Sequence, residues 1–224
     1  MYVGRIMHTD LVTVTQDTTL VQARDIINEK QIKHLLVVDK KEALIGIISD
    51  RDLKQSWASP ATALSAHELN YLLVKLTVDM IMVKKIITIQ PGTTIERAAQ
   101  IMQENRISAI PVIEDKKLVG IITTTDVMEV LLVGIGFDRE SARFSVIVGD
   151  RVGVVAEVTN ILKESQVNIR SLFTWPDKQH PGIYQLVMRV AAEDKGRAIT
   201  AIKEGGFNVL MEYTEDITSL LPEV

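Results

Sequence analysis

Two short stretches of the sequence carry a hydroxyl and a carboxylate at the same spacing. Residues 45–52 read IGIISDRD and residues 119–126 read VGIITTTD, so Ser49 and Thr123 each stand three positions before an aspartate. The apolar residues before each hydroxyl predict a strand, and the polar residues after it predict the start of a helix. Helix amides favour an anion, and a carboxylate one turn later can accept hydrogen bonds from a ribose. The pattern predicts a nucleoside phosphate site in which a glycine leaves room for a flat ring.

The same spacing also caps a helix when no ligand is present, so this alternative stays open. Two copies in register favour at least one real site. The first copy contains Asp50 and Arg51 where the second has Thr124 and Thr125. A carboxylate at Asp50 would repel phosphate, whereas Arg51 could pair with it. The sequence therefore favours the second copy.

The two stretches belong to a longer internal repeat. A shift of 75 positions places residues 3–7 on 78–82 and residues 34–39 on 109–114, and after Ala43 the shift becomes 74. A repeat of this kind means two copies of one supersecondary unit. The spacing of apolar residues within each copy predicts the order β-α-β-β-α.

Helix starts within the repeats are predicted at threonines. Thr18 or Thr19 is the expected N-cap in the first copy, and Thr93 or Thr94 in the second. Between the copies, residues 58–76 predict a Ser/Pro-rich entry followed by an amphipathic helix.

The remainder of the chain predicts a different order of elements, βαββαβ, which is the ferredoxin-like split βαβ. The predicted strands are 142–148, 167–175, 183–190 and 207–213, and the predicted helices are 154–165 and 195–206.

These motifs resemble two known families. Gly46–Asp52 and Gly120–Asp126 match the CBS-domain signature G-h-x-[ST]-x-x-[DN], and residues 150–169 (DRVGVVAEVTNILKESQVNI) resemble the helix start and strand of an ACT domain. The CBS-CBS-ACT order is similar to that of acetoin-utilisation AcuB-type proteins. The expected fold is α+β, with two β-α-β-β-α CBS repeats packed as a pair and a C-terminal ferredoxin-like ACT domain. The expected divisions are 1–57 and 77–133 for the CBS repeats, 58–76 for their connection, 134–141 for a linker, 142–216 for the ACT domain and 217–224 for a tail.

The CBS resemblance implies an adenine nucleotide (AMP, ATP or S-adenosylmethionine) as a regulatory ligand and no required cofactor. By the family pattern, Thr123 faces phosphate, Asp126 faces the ribose hydroxyls, and Thr88 and residues 108–111 lie against the base. Pro111 agrees with the family pattern and supports the second site. The predicted nucleotide-binding residues are Thr13, Ser49, Arg51, Asp52, Thr88, Ser108, Ala109, Ile110, Pro111, Thr123 and Asp126.

The ACT resemblance implies an amino-acid site between the glycine turn and the following strand, often at a dimer seam. Its predicted residues are Asp150, Gly153, Asn168 and Ile169. Amides of a glycine turn that leads into a helix suit a carboxylate. The alternative is that Gly149 and Gly153 only shape the turn.

The composition excludes several classes of chemistry and of binding partner. The 224 residues contain no cysteine and carry a net charge of −4, which excludes thiol chemistry and offers no general attraction to nucleic acid or anionic membranes. The stretch HELNY (67–71) lacks the second histidine of a zinc-protease motif, so neither a metal site nor a catalytic residue is predicted. No signal peptide and no apolar run of about 20 residues is evident.

The expectation is a cytoplasmic, non-catalytic homodimer that senses an adenine nucleotide and regulates an unknown protein, with no nucleic acid or membrane partner. An amino acid is a possible second ligand, and acetoin or acetate metabolism a possible setting. The alternative is an enzyme, or an obligate enzyme subunit in acetoin utilisation, with vestigial ligand sites.

Overall fold

The computed structural model describes residues 1–56, 75–137 and 140–222. The chain divides into two compact units, Met1–Met128 and Glu129–Val224. The predicted connection at 58–76, with its helix, lies almost wholly outside the described residues. Across the described ranges, no helix has both the length and the apolar character that a membrane span requires.

The first repeat has the predicted order β-α-β-β-α. Its core is built from one face of α1, from β2 and β3, and from Leu53 of α2. Strand β1 runs parallel to β2, and β2 is antiparallel to β3. Helix α1 begins after Thr19, whose hydroxyl accepts a hydrogen bond from the Gln22 amide at 3.2 Å. The elements are β1 (Thr13–Thr15), α1 (Leu20–Lys30), β2 (His34–Val38), β3 (Leu44–Ser49) and α2 (Asp50–Ser56).

The second repeat has the same order, but its first strand is reduced to a single parallel bridge between Ile89 and Val112. Helix α3 begins after Thr94, whose hydroxyl accepts from the Arg97 amide at 3.2 Å. Thr19 and Thr94 are therefore the caps among the predicted threonines. The remaining elements are α3 (Ile95–Asn105), antiparallel β4 (Ala109–Glu114) and β5 (Lys117–Thr123), and α4 (Thr124–Gly134).

The opening segment of the chain packs on the second repeat rather than on the first. The amide of Val3 donates to the Thr93 carbonyl at 2.8 Å, and the amide of His8 donates to the Ile121 carbonyl at 2.9 Å. Val3 is fully buried. The first eight residues thus pack on the second repeat, and His8 adds one antiparallel bridge to its strand β5.

Residues 76–83 make the reciprocal arrangement on the first repeat. The Val78 amide donates to the Thr18 carbonyl at 2.9 Å, and the Val83 amide donates to the Ile47 carbonyl at 2.9 Å. The first-repeat core accordingly includes Val78 and Met82. Each repeat is completed by the opening segment of the other, which ties the two into one unit.

The C-terminal unit is a four-stranded antiparallel sheet with two helices, in the strand order β7-β8-β6-β9. Buried residues of both helices, including Leu162 and Ile202, pack against sheet residues such as Phe144. This is the predicted βαββαβ arrangement. Its elements are β6 (Ser141–Gly149), α5 (Val154–Glu164), β7 (Ile169–Pro176), β8 (Ile183–Ala191), α6 (Lys195–Glu204) and β9 (Asn208–Leu210).

The last strand is shorter than predicted. The sequence suggested residues 207–213, but β9 pairs with β6 over only three positions. Met211 and Tyr213 are 47% and 92% exposed, so their apolar side chains gain no burial that would extend the strand.

Candidate functional site

In the second repeat, the signature hydroxyl and carboxylate bind each other. The Asp126 Oδ2 atom accepts hydrogen bonds from the Thr123 amide at 2.7 Å and from its hydroxyl at 2.8 Å. Asp126 is buried, and α4 begins at Thr124. The carboxylate therefore satisfies donors at the strand–helix junction, as the helix-cap alternative predicts.

The first repeat contains the same lock. The Asp52 Oδ2 atom accepts from the Ser49 amide at 2.7 Å and from its hydroxyl at 2.6 Å. In both repeats one carboxylate oxygen is thus held by the motif itself. Any contact to a ligand hydroxyl falls mainly to the other oxygen, Oδ1.

The two repeats differ at that second oxygen. Asp126 Oδ1 lies 2.9 Å from Nε2 of His8, whose side chain is 61% exposed. Val83 takes the matching place in the first repeat, because it bridges to Ile47 as His8 bridges to Ile121. Among the described residues, Asp52 Oδ1 has no hydrogen-bond partner.

The two charged residues before Asp52 differ in whether they are paired. Lys54 Nζ lies 3.0 Å from Asp50 Oδ2, and this hydrogen bond is the main cause of the lowered pKa of Asp50. Arg51 has no ion-pair partner within the described ranges. The Asp50 carboxylate, which would repel a phosphate, is therefore paired with a lysine, while the Arg51 guanidinium remains available to bind a phosphate.

His34 connects the two repeats. It stands opposite Ser49 in the β2–β3 pair, and its Nε2 lies 2.9 Å from the Ser108 hydroxyl of the second repeat. Burial lowers the pKa of His34, against the opposing effect of the Asp50 and Asp52 charges. The predicted base-binding residue Ser108 is thus engaged by a histidine.

The signature glycines have a different role from the expected one. A Cβ at Gly120 would collide with Sδ of Met7, and one at Gly46 would collide with Sδ of Met82. The space above each glycine is filled by a methionine of the exchanged segment, the opening segment of the other repeat (residues 1–8 or 76–83). The prediction that Gly120 leaves room for a flat ring is therefore wrong in this structure.

Of the other residues predicted for the second site, those from 108 to 111 begin beside the signature and Thr88 does not. Ala109 pairs directly with Thr123, and the Thr124 amide donates to the Ser108 carbonyl at 3.0 Å. Residues 108–111 thus begin beside the signature, with Ile110 and Pro111 buried in β4.

Thr88 lies at the edge of the sheet opposite to His8. It precedes Ile89, which pairs with β4, so β4 and β5 separate Thr88 from His8. Thr13 holds the matching position in the first repeat, where it pairs with Leu36 of β2. No hydrogen bond joins either threonine to a signature aspartate within the described residues.

The four residues predicted for an amino-acid site lie at opposite ends of the C-terminal sheet. Ile169 and Ala142 both pair with Val190 of the intervening strand β8, so β7 begins level with the start of β6. The turn with Asp150 and Gly153 instead follows the end of β6, about 23 Å away at roughly 3.3 Å per residue. One chain does not bring these residues together, because the helix α5 returns the chain to the far end of the sheet.

The turn itself is locally satisfied. Gly153 has a φ of 90° and serves as the N-cap of α5, a conformation that glycine adopts without strain. Both terminal nitrogens of the Arg151 guanidinium donate to the Glu157 carboxylate. That contact, first through its hydrogen bond, lowers the pKa of Glu157.

Sequence reasoning missed His8 and His34. Their counterparts under the 75-residue shift are Val83 and Ala109, so each histidine marks a difference between the repeats. That difference was visible in the sequence, but the contact partners were not, because they depend on the exchanged segments and on repeat packing.

Comparisons with known proteins agree with these features. The CBS domain model matches residues 3–58 and 78–133, and the ACT domain model matches residues 142–204. A CBS domain-containing protein of Dictyostelium discoideum is 32% identical over 131 residues, which are 58% of this chain and 90% of that protein. These matches confirm the tandem CBS pair and the ACT domain.

Longer proteins also match over part of this chain. A homoserine O-acetyltransferase of Methanosalsum zhilinae is 35% identical over 130 residues, which are 58% of this chain but only 24% of that enzyme. The match thus spans about a quarter of the enzyme's length.

Solved structures show the same fold for the CBS pair. A CBS-domain containing protein from Agrobacterium tumefaciens aligns with a TM-score of 0.51 at 25% identity, covering 58% of this chain and 99% of that one.

Proposed function

The chain belongs to the CBS-domain family, with a tandem CBS pair followed by an ACT domain, and from this premise we propose that it is a non-catalytic regulator that binds an adenine nucleotide. The candidate ligands are AMP, ATP and S-adenosylmethionine. A ligand at the pair would favour one packing of the repeats over another, by as much as its affinities for the two differ.

The observation that carries this proposal is the duplicated hydroxyl–carboxylate lock. Ser49 with Asp52 and Thr123 with Asp126 place two aspartates in the same geometry, each with one oxygen turned away from its motif. A ribose offers two hydroxyl donors, which suit such an oxygen. His34 is hydrogen-bonded to Ser108 across the two repeats, so a change in how the repeats pack would alter this contact.

Isothermal titration calorimetry of the full chain with AMP, ATP and S-adenosylmethionine tests the proposal. Binding of at least one of them, weakened tenfold or more by loss of a signature carboxylate, is the expected result; a charge-assisted hydrogen bond contributes about 1.5–3 kcal/mol. Absence of heat with all three ligands would leave the aspartates as helix caps only.

For the ACT domain we propose dimerisation, with amino-acid binding as an added role. Strands β7 and β9 are the edges of its sheet, and edge strands offer unpaired backbone groups to a second copy. Asp150 and Gly153 can share a site with Asn168 and Ile169 only if two chains contribute, because one chain separates them. Light scattering should give a dimer mass at micromolar concentration, and a monomer mass would contradict this.

The alternative function is an enzyme or an obligate enzyme subunit in acetoin utilisation. Similarity of domain order is its support, as it is for a regulatory link to acetoin or acetate metabolism. Within the described ranges, no group of three His, Cys, Asp or Glu side chains is placed to hold a metal. A turnover screen with acetoin and acyl substrates separates the two, since product formation by the purified chain would favour the enzyme.

A further inference from the structure

We propose that His8 determines which of the two signatures binds a ribose: its imidazole occupies the second oxygen of Asp126, so that Asp52 becomes the diol-binding carboxylate. This inference rests on the proposed binding of an adenine nucleotide. It ranks the first repeat above the second, the reverse of the order that the sequence favoured.

The hydrogen bonding of the two carboxylates differs at one oxygen only. In each repeat Oδ2 accepts two hydrogen bonds from the Ser or Thr of its own motif, at 2.6 to 2.8 Å. Oδ1 of Asp126 is held by His8 at 2.9 Å, whereas Oδ1 of Asp52 has no partner among the described residues. A ribose hydroxyl can bind Asp52 directly, whereas at Asp126 the His8 imidazole already takes one acceptor position of Oδ1 and a hydroxyl must share that oxygen with it.

The phosphate end of a nucleotide favours the same repeat. Asp50, the carboxylate that would repel a phosphate, is paired with Lys54 at 3.0 Å. Arg51 has no partner in the described part of the chain and can form a bidentate contact with phosphate. The corresponding positions in the second repeat, Thr124 and Thr125, carry no charge.

The repeat supplies a matched pair of exchanges for testing this. His8 and Val83 hold equivalent bridge positions, beside Ile121 and Ile47, and both are exposed. His8→Val gives the second repeat the side chain of the first, and Val83→His does the reverse. Neither exchange alters a buried core residue, so both variants should fold, as circular dichroism can verify.

Calorimetric titration of the full chain with AMP is the experiment. The wild type should bind one AMP per chain, and Asp52→Asn should weaken that site at least tenfold, more than Asp126→Asn does. His8→Val should raise the stoichiometry from one to two. Val83→His should weaken the first site severalfold, and 2′-deoxy-AMP should bind the wild type about tenfold more weakly than AMP, because one hydroxyl donor is lost.

The outcomes separate the two proposals. If AMP binds the wild type but depends more on Asp126 than on Asp52, or if His8→Val leaves the stoichiometry at one, the role of His8 is refuted while nucleotide binding stands. If neither the wild type nor His8→Val binds AMP, ATP or S-adenosylmethionine, the nucleotide proposal fails and the role of His8 fails with it.

Discussion

Replacement of Gly46 by alanine should loosen the first repeat, because the site of the new methyl group is already filled. An ideal Cβ there would collide with Sδ of Met82 and lie 3.0 Å from its Cγ and 3.3 Å from its Cβ. Met82 is only 8% exposed and belongs to the first-repeat core. Rotation of the sulfur alone cannot relieve three contacts, so the exchanged segment must shift.

Overpacking of this kind costs about 1–3 kcal/mol. Because a tenfold change in an equilibrium constant corresponds to about 1.4 kcal/mol, amide exchange through opening of this sheet should accelerate about 5- to 140-fold. Hydrogen–deuterium exchange of β2 and β3 measures this change directly. The amides of β6 and β8, in the C-terminal unit, provide an internal reference that should not move.

Two further variants make the test specific. Gly92→Ala is the matched control, since a Cβ at Gly92 meets no atom within 4 Å. Met82→Ala destabilises the core by itself, but in that background Gly46→Ala should add little, because Sδ and Cγ are gone and only the Cβ contact at 3.3 Å remains. Unchanged exchange in Gly46→Ala, equal acceleration in Gly92→Ala, or simple additivity with Met82→Ala would refute the reasoning.

Three other outcomes follow from the contacts. Lys54→Gln should raise the pKa of Asp50 toward its ordinary value, and carbon NMR measures this pKa. In the wild type the pair stabilises the fold above the ordinary pKa of an aspartate, and this stabilisation is lost as pH falls through the lowered pKa. An Asp50 titration that does not shift in the variant would disprove the pairing. Because the pKa of His34 is lowered in the folded protein, the unfolded chain takes up this proton first, and stability should fall as pH drops below about 6.5. Urea unfolding from pH 7.5 to 5.5 should show a smaller loss of stability in His34→Gln than in the wild type. An identical loss in the two proteins would contradict this. Gly153→Ala should lower stability by about 1–2 kcal/mol, the cost of an L side chain at positive φ, since its Cβ would meet only Glu157 Oε1 at 4.0 Å. Calorimetric melting that matches wild type would contradict this.

Local patterns in the sequence were sufficient for the element order of both units. Apolar spacing fixes a helix such as α1 because only one of its faces can be buried, and a threonine before that face caps it, as Thr19 and Thr94 do. The hydroxyl–carboxylate motif likewise specifies its own lock, since Ser49 and Asp52 are one helical turn apart and need no distant residue. The repeat, the two families and the ferredoxin-like order all follow from such short-range information.

Tertiary structure alone decided which side chains share a site. The exchange of opening segments places His8 on Asp126 across 118 positions of sequence, and nothing in the repeat predicts that residues 1–8 complete the other copy. The same exchange fills the space above Gly120 with Met7, which gives that glycine a packing role where the motif suggested a ligand.

The residues predicted for an amino-acid site show the same limit of sequence reasoning. Gly153 and Asn168 are 15 positions apart, yet α5 carries the chain back along the sheet, so the two end up at opposite ends of parallel β6 and β7. Sequence determines helices, caps and motif locks because their partners lie within about one helical turn. Sites depend on long-range pairing, and the energies that select one pairing come from burial and register across the whole unit, which only the folded chain displays.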